Sequence, residues 1–367
     1  MTQLMAKRIT IKEIARQVGV NISTVSRALN PATADRISAE KREKILAVCD
    51  HYNYRPRVAA RSCVMGRNFR IGLVLGALTD DLANPLQALY IKGVCSVLQA
   101  AGYTLSVLWA EENPEKRDET VRNFLMSEIA DGYILGAPLL APQTVETFRN
   151  SGHPILSFKT LQKVESNFPS LSLDALNSFK RIWKAMPQEL ADNILFTGPD
   201  SPNTIRKKEL FCSCADKKMQ MDTLFFRQEQ KNTAFHHNYL AARNFFNVHP
   251  EPLLNARLIC CSSDLVAHAA CDELTSRGRK VGEDIFVLGY DNLENITPYP
   301  EKEPYLSTTD PHWEEAGRAS ARFILDCLQQ PEKENPSTDI VIKSSYVCRR
   351  SFPFDLPENP EQPETAQ

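Results

Sequence analysis

The chain has 367 residues, 43% hydrophobic and 24% charged, with a formal net charge of −2. That length exceeds one typical core, and the mix is that of a folded globular protein rather than a fibrous or disordered one. The longest wholly apolar run, Ile71–Leu78 counting glycines, has eight residues. A membrane helix needs about twenty, and the start MTQLMAKRIT lacks a signal-peptide core, so a cytoplasmic protein without membrane contact is expected.

Charge is unevenly spread. Fourteen of the Lys and Arg but only five of the Asp and Glu fall in residues 1–70, giving +9 there against −11 for the rest. A basic head on an acidic body points to a polyanion as partner of the head alone. The ten cysteines show no zinc-module spacing: Cys212 and Cys214 are two apart and Cys260 and Cys261 are adjacent. No metal and no cofactor are therefore expected.

In chain order, ITIKEIARQVGVNISTVSRALN, residues 9–30, reads as two short helices joined by a turn. Thr10 can cap the first, whose Ile11, Ile14, Ala15 and Val18 recur at helical spacing. Gly19 suits the turn because it tolerates positive φ. Asn21 can cap the second helix, where Val25, Ala28 and Leu29 face inward. Ile22, Ser23, Thr24, Ser26 and Arg27 are left outside, where hydroxyls and a guanidinium can reach phosphates and base edges in a major groove. This is a helix-turn-helix plan with the second helix as reader. The competing reading is an ordinary helical hairpin with a solvated face. Ser38 then caps a third helix through Tyr54, whose Ile45, Leu46, Val48 and Cys49 can close a small core. Pro56 starts a short basic segment, Arg57–Arg67, too short to hold a helix alone.

From Phe69 onward short β-rich runs alternate with helices. The first series of strands is 70–78, 104–109, 132–135, 154–158 and 171–173, and the second is 193–197, 223–227, 256–261 and 285–289. Helices are expected at 85–101, 114–129, 142–150, 204–217, 235–247, 265–277 and 313–329, and a β-rich run at 339–348. The fold class is α/β, with two consecutive doubly wound parallel sheets and a ligand cleft at their carboxyl ends. The Pro- and Glu-rich end reads as disordered.

From Ile9 to about Phe352 the chain resembles the lactose-repressor family of bacterial transcription regulators. Four stretches carry the likeness: the helix-turn-helix, with Thr24-Val25-Ser26-Arg27 and Leu29-Asn30; NYRPRVAARSCVMGR from Asn53; NPLQALYIKGVCSVLQAAGYTL from Asn84; and SSDLVAHAACDELTSRGRKVGEDIFVLGYDN from Ser262. The resemblance implies a three-helix head at 1–55, a hinge helix at 56–67 that folds in the minor groove, and a periplasmic-binding-protein-like core at 68–353. It places the N-lobe at about 68–174 and 293–333, the C-lobe at about 175–292 and 334–353, and a tail at 354–367. It further implies a homodimer on a near-palindromic double-stranded DNA operator, with a small-molecule effector in the cleft.

Carried over residue by residue, the resemblance assigns DNA contacts to Thr10, Asn21, Ile22, Ser23, Thr24, Ser26, Arg27, Asn30, Arg57, Ala60 and Cys63. Cys63 stands where the family usually has a leucine wedge, and Arg57 where it usually has asparagine. Effector contacts fall to Leu86, Gln87, Lys159, Arg206, Lys208, Ser263, Asp264 and Asp291, with N-capping as the other reading of Asp264. Leu86 and Gln87 replace stacking aromatics, Lys159 an aspartate, Lys208 an arginine and Phe211 a glycine. Three cations with few rings favour an anionic effector, a sugar phosphate or organic acid, over a neutral sugar. The expected function is a transcription regulator acting as a repressor. The alternatives are a member that has lost small-molecule sensing, or a solute-binding protein without DNA function. Asp264 and His268, one helical turn apart, could form an acid–base pair, but no nucleophile or metal set accompanies them, so no enzyme is expected.

Overall fold

The computed structural model describes residues 9–29, 33–54, 66–76, 84–111, 113–136, 140–159, 168–215, 221–227, 237–295, 303–330 and 339–356. The chain divides into two units, Met1–Phe69 and Arg70–Gln367.

The first unit is three helices: α1 Ile11–Val18, α2 Ile22–Leu29 and α3 Ala39–His51. Thr10 and Glu13 form a reciprocal capping box: Glu13 N donates to Thr10 Oγ1 at 3.3 Å and Thr10 N to Glu13 Oε2 at 2.7 Å. Two backbone N–H groups that the helix itself leaves unpaired are thereby satisfied. Gly19 ends α1 in the left-handed region, φ 71°, where a Cβ would be strained. Ile14, Ala15, Val25, Ala28, Ile45 and Cys49 form the buried core, with Val18, Leu29 and Val48 at its edge. Leu46, expected in that core, is only half-buried. Of the hinge segment 56–67, residues 56–65 lie outside the described residues.

The second unit holds two six-stranded sheets. The N-lobe sheet has the order β11-β5-β4-β3-β1-β2, every pair parallel. Its strands are β1 Arg70–Leu75, β2 Thr104–Trp109, β3 Gly132–Gly136, β4 Ile155–Lys159, β5 Ser170–Asp174 and β11 Asp339–Lys343. The C-lobe sheet has the order β12-β10-β9-β8-β6-β7. Its strands are β6 Ile194–Pro199, β7 Asp222–Phe226, β8 Leu258–Cys261, β9 Phe286–Tyr290, β10 Ser307–Asp310 and β12 Ser345–Val347. It is parallel except for β12, which runs antiparallel to β10 along one edge.

The N-lobe helices are α4 Pro85–Ala100, α5 Pro114–Met126, α6 Pro142–Arg149 and, returning late in the chain, Trp313–Gln329. Between them in sequence come the C-lobe helices α7 Leu176–Ala185, α8 Gln188–Ala191, α9 Pro202–Ser213, α10 His237–Val248, α11 Glu251–Asn255 and α12 Asp264–Ser276. The Trp313–Gln329 helix is therefore α13. It packs closely on α4, with Tyr90 Oη donating to Ser320 Oγ at 2.7 Å. α12 is almost wholly buried between sheet and α10, in the largest apolar cluster of the C-lobe.

Four expectations change. The lobes exchange chain after Asp174, between β10 and α13, and between β11 and β12, not near residues 292 and 333. β10 completes the C-lobe sheet beside β9, and β11 extends the N-lobe sheet beside β5, so the run 339–348 is two strands on two sheets. Helix α7, which was not expected, buries Phe179 and Ile182. The ordered chain also passes Phe352: Phe354 packs on Phe286 at 5.1 Å between centroids, and Asp355 pairs with Arg181 at 2.6 Å. The expected tail thus starts no earlier than residue 357, and residues 357–367 lie outside the described residues.

Candidate functional sites: the reading helix and the interlobe cleft

On the head, α2 turns Val25 and Ala28 into the core and leaves Ser23, Ser26 and Arg27 exposed. Ile22 is 46% exposed, a large apolar side chain that the described residues leave uncovered. Asn21 stands at the head of the helix, its carbonyl accepting from Thr24 N at 3.0 Å and Val25 N at 3.2 Å. Thr24 is half-buried. The Thr10 hydroxyl donates to Glu13 Oε2 at 2.9 Å, so it serves the cap first. Asn30, Arg57, Ala60 and Cys63 lie outside the described residues. What remains is one short face of a methyl-rich side chain, two hydroxyls and a guanidinium, the chemistry that base edges and thymine methyls call for.

In the second unit a cavity of about 260 Å³ opens at the carboxyl ends of both sheets. The N-lobe contributes Asn84, Leu86, Leu173 and Trp313; the C-lobe contributes Ser201, Asn203, Thr204, Lys207, Asn238, Ser262, Ser263, Tyr290 and Asp291 among others. Asn84 is placed by capping α4, its Oδ1 accepting from Leu86 N at 3.0 Å. Ser263 caps α12, accepting from Val266 N at 3.4 Å. That cap was one of the two roles read for Asp264.

Asp264 itself is fully buried and has no place on the cavity wall. Its Oδ1 accepts from Thr308 Oγ1 at 2.6 Å and its Oδ2 from Leu293 N at 2.7 Å. It ties the loop after β9 to β10. Burial pushes its carboxyl up, against those two hydrogen bonds. His268, weighed as its acid–base partner, contacts Tyr305 Oη at 3.2 Å through Nδ1 and Glu294 at 3.6 Å through Nε2. The residues weighed for proton transfer are engaged in holding the lobe together.

The expected cations also go elsewhere. Arg206 is half-buried on α9, pairs with Glu209 at 3.2 Å and does not line the cavity. Lys208 faces Cys212, one turn on, and Lys159 ends β4; neither lies on the cavity wall, nor does Gln87. The cation that does is Lys207, 7% exposed, whose Nζ donates to Ser262 O at 2.7 Å and lies 3.5 Å from the Tyr290 ring centroid. Thr204, Lys207 and Phe211 form the buried face of α9. Phe211 packs edge-on against Phe179 at 5.2 Å, which fixes the helix's rotation. The 204–207–211 spacing is helical, and that periodicity was the signal that could have found Lys207.

Asp291 follows Tyr290 at the strand tip with φ 114°, and Asn292 continues with φ 55°. This uncommon backbone is held by Asp291 N donating to Thr309 O at 2.8 Å, and by Asn292 bonded to Asp310 and to Arg349, each at 2.8 Å. Asp291 is 7% exposed, and burial pushes its carboxyl up to about 7 although Lys207 draws it down. Burial likewise pushes the Lys207 ammonium below its ordinary value. For both groups burial opposes the charged form, and each is the other's opposing charge.

Residues 10–57 match the family described as bacterial regulatory proteins, lacI family, and residues 192–352 match the periplasmic binding protein-like domain. The chain is 26% identical over 347 residues to the ribose operon repressor of Bacillus subtilis, covering 93% of this chain and 98% of that protein. Among solved structures it is similar to the Lac repressor bound to ONPG in its repressed state, with a TM-score of 0.73 and 21% identity over 94% of this chain and all of that one. It is also similar to a LacI family transcriptional regulator from Enterococcus faecium with bound ribose, with a TM-score of 0.59 and 20% identity over 77% of this chain and 98% of that one. Among the described residues no helix is long and apolar enough to cross a membrane, and no group of His, Cys, Asp and Glu could hold a metal ion.

Proposed function

Since the chain belongs to the lactose-repressor family of bacterial transcription regulators, we propose that it is a sequence-specific repressor that binds operator DNA as a homodimer and answers to a sugar bound between its lobes. The observation that carries the DNA half is the exposed face of α2 on a capped, basic head: Ile22, Ser23, Ser26 and Arg27. Ile22 meets a thymine methyl, Ser23 and Ser26 bond base edges or phosphate, and Arg27 bonds guanine or phosphate. Asn21, Thr24, Thr10 and Asn30 complete the contact surface, with Arg57, Ala60 and Cys63 from the hinge in the minor groove. Two copies related by two-fold symmetry read an inverted repeat.

The effector half rests on a cavity whose wall is polar but nearly neutral. Among the described residues Lys207 and Asp291 are its charged groups, and the rest is amide, hydroxyl, Trp313, Tyr290 and aliphatic side chain. With Lys159, Arg206 and Lys208 off that wall, the ground for an anionic effector is gone, and a neutral sugar suits the cavity better. Leu86, Ser263 and Asp291 remain the contacts read from sequence; Asp264 acts behind them.

The test is selection by the full-length protein from a pool of random duplexes, followed by sequencing. The expected result is an inverted repeat whose recovery changes when a neutral sugar is added. Recovery of unrelated sequences would defeat the DNA reading and favour a solute-binding protein. A repeat indifferent to every sugar offered would leave a regulator that has lost small-molecule sensing.

A further inference from the structure

We propose that Lys207 is a specificity-determining residue of the cleft: its ammonium and the Asp291 carboxylate hold one hydroxyl of a neutral polyol from opposite sides, and together they reject anionic and cationic sugars. The proposal rests on the reading of the cleft as a sugar site and names the chemistry that the site selects.

The geometry starts with what fixes each group. Lys207 Nζ spends one of its three donors on Ser262 O at 2.7 Å, and the Tyr290 ring, 3.5 Å from Nζ, covers another flank. The remaining donor capacity belongs to an ammonium on the cavity wall. Asp291 is the residue after Tyr290, so the ring that carries the ammonium and the carboxylate belong to one strand tip. The Asp291 backbone is held by Thr309, but among the described residues its carboxylate accepts no hydrogen bond and makes no direct ion pair with Lys207. Both side chains are more than nine-tenths buried. An acceptor and a donor of opposite charge, both buried, on the wall of one cavity and not in direct contact, can be bridged by one polar group bound in that cavity.

A hydroxyl is the group that fits that gap, because it accepts from the ammonium through oxygen and donates its hydrogen to the carboxylate. Both bonds are charge-assisted. A phosphate or carboxylate would satisfy Lys207 but meet Asp291, with Asp264 and Asp310 adding to the repulsion behind it. An amino sugar would satisfy Asp291 but meet Lys207. Among the described residues that line the cavity, Lys207 is the one cation, so no second one compensates an anion there. The N-lobe wall of the cavity supplies the remaining contacts of a polyol through Asn84 and the Trp313 side chain.

The test is calorimetry on the full-length protein with D-ribose, D-glucose, D-fructose and cellobiose, beside D-ribose 5-phosphate, D-gluconate and D-glucosamine. Wild type is expected to bind at least one neutral sugar at least about tenfold more tightly than the charged probes. Lys207→Met and Asp291→Asn should each weaken that sugar by about tenfold or more, the loss of one charge-assisted bond. They should also change the rejected class in opposite directions. Lys207→Met should gain relative affinity for glucosamine, and Asp291→Asn for gluconate or the phosphate. Loss of a packing contact alone would not produce that crossed pattern. If thermal unfolding shows that Lys207→Met does not fold, Lys207→Gln takes its place, and the wild-type ranking of neutral over charged probes still decides. An anionic probe that binds wild type best, or a folded Lys207 variant with unchanged ranking, overturns the inference while leaving the sugar site standing. Wild type that binds none of the seven probes removes the sugar-site reading and this inference with it.

Discussion

At the scale of single residues, Arg27 and Asp291 are the sharpest places to press. Arg27 is exposed on α2, and among the described residues no acid of the head draws its side chain into an ion pair. Arg27→Ala should weaken operator binding by about 1–3 kcal/mol and relax one base of the repeat if the guanidinium reads guanine. If it bonds phosphate instead, all sequences weaken alike and the salt slope falls by about one. Unchanged affinity and preference in a mobility-shift series would remove α2 from the groove. Asp291 makes a prediction in pH. Its carboxyl is raised to about 7 by burial, against the field of Lys207 and with Asp264 and Asp310 adding to the rise. Its contribution to stability is therefore full below the ordinary carboxylate range and lost as pH rises through about 7. A polyol that donates to the ionised form offsets that loss, so the melting-temperature gain from bound sugar should grow between pH 6 and 8 (roughly the window set by that value). Asp291→Asn should flatten the profile; a gain that shrinks with rising pH would contradict the carboxylate's role as acceptor.

At the scale of elements, local chemistry and close packing give separate tests. The N-cap at Thr10 was legible from the sequence, and the structure completes it into a capping box with Glu13. Thr10→Ala should lower head stability by about 1 kcal/mol, measured as the urea midpoint of the head's helical signal. A helix that melts at the same denaturant concentration would mean that the cap contributes nothing. The α4–α13 pair depends on something no local pattern revealed. A Cβ at Gly317 would lie 2.1 Å from Tyr90 O, and one at Gly93 2.0 Å from Glu314 O, so the two helices touch backbone to backbone. Gly317→Ala must push them apart and should cost the second unit about 1–3 kcal/mol. The effect should be read by thermal unfolding, with tyrosine fluorescence following the Tyr90–Ser320 bond. Because α13 also carries Trp313 to the cavity wall, the same variant should weaken sugar binding.

At the scale of the whole molecule, the dominant feature is the partition of charge, +9 over residues 1–70 and −11 over the remainder. Counterion release from DNA should make operator affinity fall steeply and linearly with salt on logarithmic axes, with a slope of about −0.9 per phosphate engaged. The acidic body should oppose non-specific DNA binding, so the ratio of operator to random DNA should hold as salt falls. A shallow slope, under about two phosphates' worth, would mean that the basic head is not the DNA-binding surface.

What the sequence determined by itself was everything that depends on neighbours within a few positions. The caps of α1, the turn at Gly19, the outward face of α2 and the alternation of strand and helix are set by propensity and period, and they stand in the structure. The two later lobe boundaries were not legible, because a short strand such as β10 or β11 carries no mark of the sheet it will join. Partners far upstream in the chain decide that, as Ser170–Asp174 does for Asp339–Lys343. Nor could sequence choose among Arg206, Lys207 and Lys208. Three adjacent residues on a helix point about 100° apart, and the helix's rotation was decided by Phe211 seating on Phe179 and Trp183. Burial decided Asp264 in the same way: the loop after β9 closes over it and turns a candidate ligand contact into an internal tie. Local order follows from short-range sterics and hydrogen bonds, whereas the identity of the charges in the cleft follows from how distant surfaces pack, and that only the tertiary structure decides.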